Sequence, residues 1–405
     1  MSTTKTLLPN SARAKSLLAK DNVDIALVTS PSNVRYFSQQ EPGIQSIVSW
    51  WDAPSMVLLS ISQDLKPAHV VSVMNAPVIL GPRENPCEPK FYGNFVMSFA
   101  SKLDENEEQL RQIYQQCTAK PRDAFQVLFD SIESWGPVAN QLNIGIEAHH
   151  LPAVARDMLR DKFPSITFRD VSETLLRVRM IKTEEEIQRI KESSAINVKG
   201  LLAAIQEIRP GSRERLLTET YMAEVQRHKA RPVFALINVG RKSAVTFPTY
   251  SKAVKIRKGD TVRLDVGCEY RGYCSDVSRT IAVGKVTDVK KRILEATTAG
   301  YTETIKRLRP GLPIREVFEQ AVSVVRAQGI PDYARTNVGH GIGIEVHELP
   351  NLTPQENGVL ERNMVFNVET PYYCFGVGGF SCEDSVRITE HGYELLTRLQ
   401  RRIQV

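Results

Sequence analysis

Apolar and polar positions along the first 175 residues switch repeatedly between helical and extended spacing. Residues 10–20 carry the helical pattern, and "DIALVTS" at 24–30 is an apolar, partly β-branched run of the kind that forms a buried strand. "PSMVLLSIS" and "HVVSVM" are further strand candidates, with polar and proline-rich connections between them. Such alternation predicts an α/β N-terminal domain over residues 1–175.

The pattern changes near residue 180. In "MIKTEEEIQRIKESSAINVKGLLAAIQEI", Thr183 with Glu186 three residues later makes a capping box, and the apolar residues after it recur at helical spacing. A long helix is therefore expected to open a second domain, assigned to residues 176–405, and to stop at "RPGS". "RLRPGLPIREVFEQAVSVV" repeats the order helix, Pro-Gly break, helix, so two helical pairs are expected beside a sheet. "DTVRLDVGCEY", "SRTIAVG", "NMVFNVETPYY" and "EDSVRIT" supply its strands. Two domains also suit a chain of 405 residues, since single cores stop growing at roughly 250–300.

Charge and composition narrow the field. The net charge of +6 comes from 52 basic and 46 acidic residues spread along the chain. Lys290-Lys291-Arg292 sits in "KVTDVKKR", which contains an acid and no aromatic recognition motif, so it reads as a solvated turn or helix start and no nucleic-acid partner is expected. Six cysteines (Cys87, Cys117, Cys268, Cys274, Cys374 and Cys382) form no CxxC pair, which fits a reduced, cytoplasmic compartment. No apolar run approaches the roughly 20 residues needed to cross a bilayer, so no membrane partner is expected either. "MSTTKTLLPNSARAKSLLAK" lacks acids, as a transit peptide would, but Asn10 followed by a short helix reads as the start of the fold.

The candidate chemistry lies in acids at unusual places. Asp265 interrupts "VRLDVG", Asp276 sits in "YCSDVSRT", Glu369 interrupts "VFNVETP", and Glu383 sits in "SCEDSV". An acid inside an apolar strand is costly to bury unless it is paired, protonated or bound to a cation. Arg263, Arg279 or Arg387 could serve any one of them as an ordinary partner. For all of them together, with His340 between Gly339 and Gly341 in "GHGIGIEVHE", a shared cation is the better account. Oxygen-rich sites with one imidazole suit manganese, cobalt, iron or zinc. These carboxylates would balance two divalent ions and suggest a two-metal hydrolase.

These pieces carry a resemblance. "DVG" around Asp265, "SDVSRT" around Asp276, "GHGIGIEVHE" around His340, "NVETPYY" around Glu369 and "CED" around Glu383 resemble, in order and approximate spacing, the catalytic domain of the creatinase, aminopeptidase P and prolidase superfamily. Residues 1–175 resemble the same proteins' N-terminal domain, with "SNVRYFSQQ" similar to an Asn-Val-Arg-Tyr segment. The resemblance implies an α+β pita-bread catalytic domain, two divalent metal ions, a homodimer, and hydrolysis of a C–N bond by a metal-bridging hydroxide. It implies that Asp265 holds one metal, that His340 and Glu369 hold the other, and that Asp276 and Glu383 bridge both. Glu369 would move the proton, and His347 would contact substrate or the tetrahedral intermediate. An Xaa-Pro dipeptide or other short peptide is the substrate implied most simply.

Other features bear on the substrate. Relatives have a histidine after a proline upstream of the "KGD" turn, where this chain has Pro248-Thr249, and often an arginine where it has Ser381. These departures keep open a small nitrogenous or sulfonium substrate, as in creatinase, ectoine hydrolase and a dimethylsulfoniopropionate lyase. A binding module without catalysis would be expected to have lost ligands. Trp50 and Trp51 read either as ordinary packing or as a loop closing over a partner's site, and Arg35 as a candidate contact to a substrate carboxylate. His69, His149, His150, His228 and His391 read as surface or packing residues.

Overall fold

The computed structural model describes residues 9–41, 43–49, 52–61, 65–81, 85–134, 142–247, 254–400 and 403–405. Trp50, Trp51, Pro248 and Thr249 lie outside the described residues. The chain divides into two compact units, Met1–Val178 and Arg179–Val405.

The first unit alternates strands and helices: α1 (Ser11–Lys20), β1 (Ile25–Val28), α2 (Pro31–Ser38), β2 (Met56–Ser60), β3 (Ala68–Ser72), α3 (Ala76–Ile79), β4 (Glu88–Tyr92), α4 (Glu105–Ala119), α5 (Ala124–Glu133), β5 (Asn143–Ile146), α6 (Ala153–Lys162) and β6 (Thr167–Asp170). A further helix, α7 (Ser172–Met180), spans the division. The strands form one mixed sheet in the order β4-β3-β2-β1-β5-β6. Ile25, Leu27, Met56, Leu58 and Val70 pack with Phe125, Leu128 and Leu159 of the helices into its core. Local chemistry sets the helix starts. Ser30 accepts the Asn33 N–H with Pro31 in the first turn of α2, and Asp104 and Asp123 each complete a capping box.

The second unit holds α8 (Glu184–Gln206), α9 (Glu214–Arg227), β7 (Arg231–Val239), β8 (Thr261–Tyr270), β9 (Tyr273–Ala282), α10 (Asp288–Ile305) and α11 (Ile314–Ala327). After these come β10 (Gly339–Gly341), β11 (Glu348–Asn351), β12 (Val365–Glu369), β13 (Tyr372–Cys374), β14 (Gly378–Phe380), β15 (Cys382–Ile388), β16 (Tyr393–Leu395) and β17 (Ile403–Gln404). The Thr183–Glu186 capping box forms with both of its bonds, at 2.8 and 3.2 Å. Thr287 caps α10, which places Lys290-Lys291-Arg292 near the start of that helix.

The main sheet runs β11-β10-β12-β15-β9-β8-β7, with β16 beside β15 and β17 beside β9. Residues on one strand face alternate, and the helices take one set. α8 and α9 pack on Val262, Leu264, Val266 and Val277, while α10 and α11 pack on Phe366, Val368 and Val386. The other set carries the acids. This curled, helix-backed sheet is the pita-bread fold, preceded by an α/β N-terminal unit.

Candidate metal centre

Strand register assembles the site. Glu369 of β12 lies directly opposite Glu383 of β15, Glu383 opposite Ser278 of β9, and Ser278 opposite Asp265 of β8. One row thus crosses neighbouring strands with three carboxylates on it. Asp276 is two residues along β9 from Ser278, on the same face, and His340 of β10 lies opposite Asn367, two residues before Glu369.

Glycines allow β10 to come this close. A Cβ on Gly339, whose φ is +147°, would lie 1.9 Å from the Asn367 carbonyl oxygen, and one on Gly341 would lie 2.1 Å from that of Leu349. The "GHG" step is therefore a packing requirement as well as a chemical one.

Asp276, His340 and Glu383 are buried, and one donor atom from each lies within 4.8 Å of the others. His340 Nε2 is 3.7 Å from Asp276 Oδ2 and 3.8 Å from Glu383 Oε1. On the far side of its ring, Nδ1 sits 3.1 Å from the Gly341 carbonyl oxygen. A proton on Nδ1 satisfies that bond and leaves the Nε2 lone pair facing the carboxylates. Asp265 and Glu369 lie outside this trio and are partly exposed.

The electrostatics are unfavourable without a cation. Burial, then the charges of Asp265 and Glu369, push Asp276 well above the usual carboxylate range. Glu383 is raised likewise by burial and by Asp276, Glu369 and Asp265, against a 2.8 Å bond from Asn367 Nδ2. Asp265 rises to about 6 through burial and Glu369, opposed by Arg263. Glu369 rises through burial, opposed by Arg335 and Arg263. Asp276 Oδ1 is buried with no hydrogen-bond partner among the described residues. An orphan carboxylate oxygen, crowded acids and one imidazole form a donor set that fits first-row divalent ions.

The neighbouring residues sort into separate groups. His347 stacks on His340, with ring centroids 3.7 Å apart and planes 10° from parallel. Burial and then His340 lower its pKa to about 4, so the ring is neutral at pH 7. Arg263 pairs with Asp265 at 2.9 Å, which gives that acid the ordinary partner considered for it. Arg279 instead grips Asp384 at 2.8 and 2.9 Å on the helix face, where Tyr301 and Thr397 also donate to Asp384 at 2.6 Å each. Arg387 pairs with Glu184. Ser381 is buried, and its N–H donates to Thr280 Oγ1 at 2.8 Å. In the first unit, Arg35 pairs with Glu41 at 2.6 Å, and His69 is buried 2.9 Å from Ser55 Oγ.

Sequence reasoning missed the partners of Glu348, the acid that ends "GHGIGIEVHE". It joins a buried cluster with Arg179 and with Lys182 at 2.9 Å, and Arg179 also reaches Glu345 at 2.7 Å. Asn367, Tyr373 and Arg335 were also overlooked. Asn367 carried a signal, being another polar residue inside an apolar strand two positions before Glu369.

A family model described as metallopeptidase family M24 matches residues 188–390, half of the chain and strands β7 to β15 of the second unit. The chain belongs to metallopeptidase family M24. It is similar to the Xaa-Pro dipeptidase of Pyrococcus furiosus, 33% identical over 238 residues that cover 58% of this chain and 68% of the relative. The Xaa-Pro dipeptidase of Pyrococcus horikoshii is 31% identical over 286 residues, 70% of this chain and 78% of the relative. The solved Xaa-Pro dipeptidase from Bacillus anthracis shares the fold, with a TM-score of 0.77 at 23% identity over 98% of this chain and 99% of that one. Family M24 membership makes the chain a metal-dependent hydrolase of the creatinase, aminopeptidase P and prolidase superfamily, with divalent metal as its cofactor.

Proposed function

We propose that this M24 enzyme hydrolyses the amide bond before proline in dipeptides or short peptides, using two divalent ions held by Asp265, Asp276, His340, Glu369 and Glu383. The observation that carries the reading is the crowding of Asp276, Glu383 and His340 within 4.8 Å, with an orphan Asp276 oxygen among them. The names of the Pyrococcus relatives support the substrate. The bound metals supply Lewis acidity and lower the pKa of water.

The chain's own side chains do the rest. Glu369 is partly exposed at the edge of the buried trio, and its raised pKa lets it both take and hold a proton. It accepts a proton from the attacking water and returns it to the departing nitrogen. His347 is neutral and fixed in plane by His340, so its ring N–H donates to the oxygen that gains charge. Partly exposed Tyr373 lies within β13, the strand after Glu369, and its ring forms one wall beside Arg263, the partner of Asp265.

The reading extends to a homodimer in the cytoplasm. Six free thiols support the reducing compartment. The functional test is hydrolysis of a Gly-Pro and Ala-Pro panel after chelation and after restoring manganese, cobalt or zinc. Metal-dependent cleavage of the panel is expected. Bound metal without turnover of any peptide would overturn the substrate.

A further inference from the structure

Arg263 and Arg335 both approach the ring of Tyr373, with guanidinium carbons 5.3 and 5.6 Å from its centroid. Their bonding differs. Arg263 is fully engaged: it pairs with Asp265 and donates to the carbonyl oxygens of Ser243 and Val245 at 3.2 and 3.0 Å. Arg335 makes no hydrogen bond or ion pair among the described residues, and its Nε is buried without a partner. Arg335 as a whole is partly exposed, and a buried N–H left unpaired within it is costly.

The position of Arg335 suggests what would pair it. It precedes His340 by five residues in the chain, and its charge reaches Glu369 without bonding to it. A guanidinium presents a planar fork that matches a carboxylate. The Tyr373 ring holds that fork by its face and leaves its edges free for the incoming group. Glu319 lines the groove beside Arg335 but makes no ion pair with it.

We infer that Arg335, steadied on Tyr373, is the specificity residue that receives the free carboxylate of the substrate. This inference rests on the peptidase reading for the identity of the substrate, but not for the chemistry of the anchor. The chain would then favour substrates ending one residue past the cut bond, and discriminate against longer or amidated ones.

The test pairs a binding measurement with a turnover measurement on the full, metal-loaded chain. Calorimetric titration with L-proline and with L-prolinamide needs no catalysis. The native protein is expected to bind the acid about tenfold or more tightly than the amide, as a charge-assisted contact implies. Arg335→Met should abolish that preference, and Arg335→Lys should restore part of it, with metal content unchanged in both. In turnover, Arg335→Met should raise KM for Ala-Pro with little change in kcat, and leave Ala-prolinamide unaffected. Equal or undetectable binding of acid and amide by the native protein, or a preference that survives in Arg335→Met, would overturn the inference. Absence of all peptide turnover with the acid preference intact would overturn the peptidase reading and leave the anchor standing.

Discussion

The imidazole of His347 lies flat against that of His340, with centroids 3.7 Å apart and planes 10° from parallel. The first ring is buried beside Asp276 and Glu383, and the second is its exposed cover. Stacking links the site's most enclosed nitrogen donor to a ring that can touch substrate. His347→Phe keeps the stacked surface and removes the donor. It should retain the native metal content while lowering kcat by about 10²-fold or more, the usual loss for one donor to a developing oxyanion. Paired metal analysis and kinetics would check this, and a parallel loss of metal would show that His347 acts through His340.

Removal of metal should leave a protein whose stability depends on pH in an unusual sense. Asp276 and Glu383 have folded pKa values raised by burial and mutual repulsion. The folded apo protein therefore holds protons that the unfolded chain has released, and it loses stability as pH rises through the ordinary carboxylate range toward the raised values. Metal binding must expel those protons. Thermal melts should show metal raising Tm more at pH 8 than at pH 5, and calorimetry in buffers of different ionisation enthalpy should detect proton release. Equal shifts at both pH values would count against carboxylates held protonated in the apo site.

Glu348 behaves in the opposite way. Burial pushes its pKa up, but Arg179 and Lys182 outweigh burial and hold it at about 2, against an ordinary 4.5. A carboxylate depressed in the folded state contributes stability above its unfolded pKa and loses it as pH falls, here between about 4.5 and 2. Glu348→Gln would leave Arg179 and Lys182 buried without their shared anion, a change that costs about 3–5 kcal/mol when a buried pair is broken. Urea unfolding at pH 7 and pH 3 would test both points. The variant should be destabilised at pH 7 and should converge toward the native protein at the lower pH.

Asp384 tests whether the helix face positions the metal face. Arg279 holds Asp384 through Nη2 and donates through Nη1 to the Glu383 carbonyl oxygen at 2.6 Å. Asp384→Asn removes the charge that fixes Arg279 and with it the backbone setting of Glu383. Metal affinity should fall about 10- to 100-fold although no donor is altered, in line with loss of an outer partner. Metal titration monitored by calorimetry would read the change, and unaltered affinity would show that β15 holds Glu383 unaided.

The sequence made some of this visible and hid the rest for physical reasons. Acids inside otherwise apolar strands stood out at Asp265, Asp276, Glu369 and Glu383, because burying such groups is costly and therefore rare. The Thr183 cap and the Pro-Gly breaks located the long helices, since those signals are local. Pairing across the sheet was not legible. Nothing in the chain reveals that Glu369 faces Glu383, or that β15 lies between β12 and β9, because register is decided by contacts distant in sequence. Glu348 follows His347 directly in the chain, yet its partners Arg179 and Lys182 lie 169 and 166 residues away. Arg335 belongs to no motif, and it stands out through its contact with the Tyr373 ring and a buried Nε with no partner among the described residues.

Metal held between Asp276, His340 and Glu383 underlies every function proposed for this chain. The most direct test is the metal-to-chain ratio of the native protein and of Asp276→Asn, each stripped by chelation, reloaded with manganese and freed of excess ion. About two ions per native chain are expected from a bridged pair, with a clear loss in the variant while its fold is retained by circular dichroism. A native protein that binds no ion, or an Asp276→Asn protein that binds as much as the native one, would contradict the account.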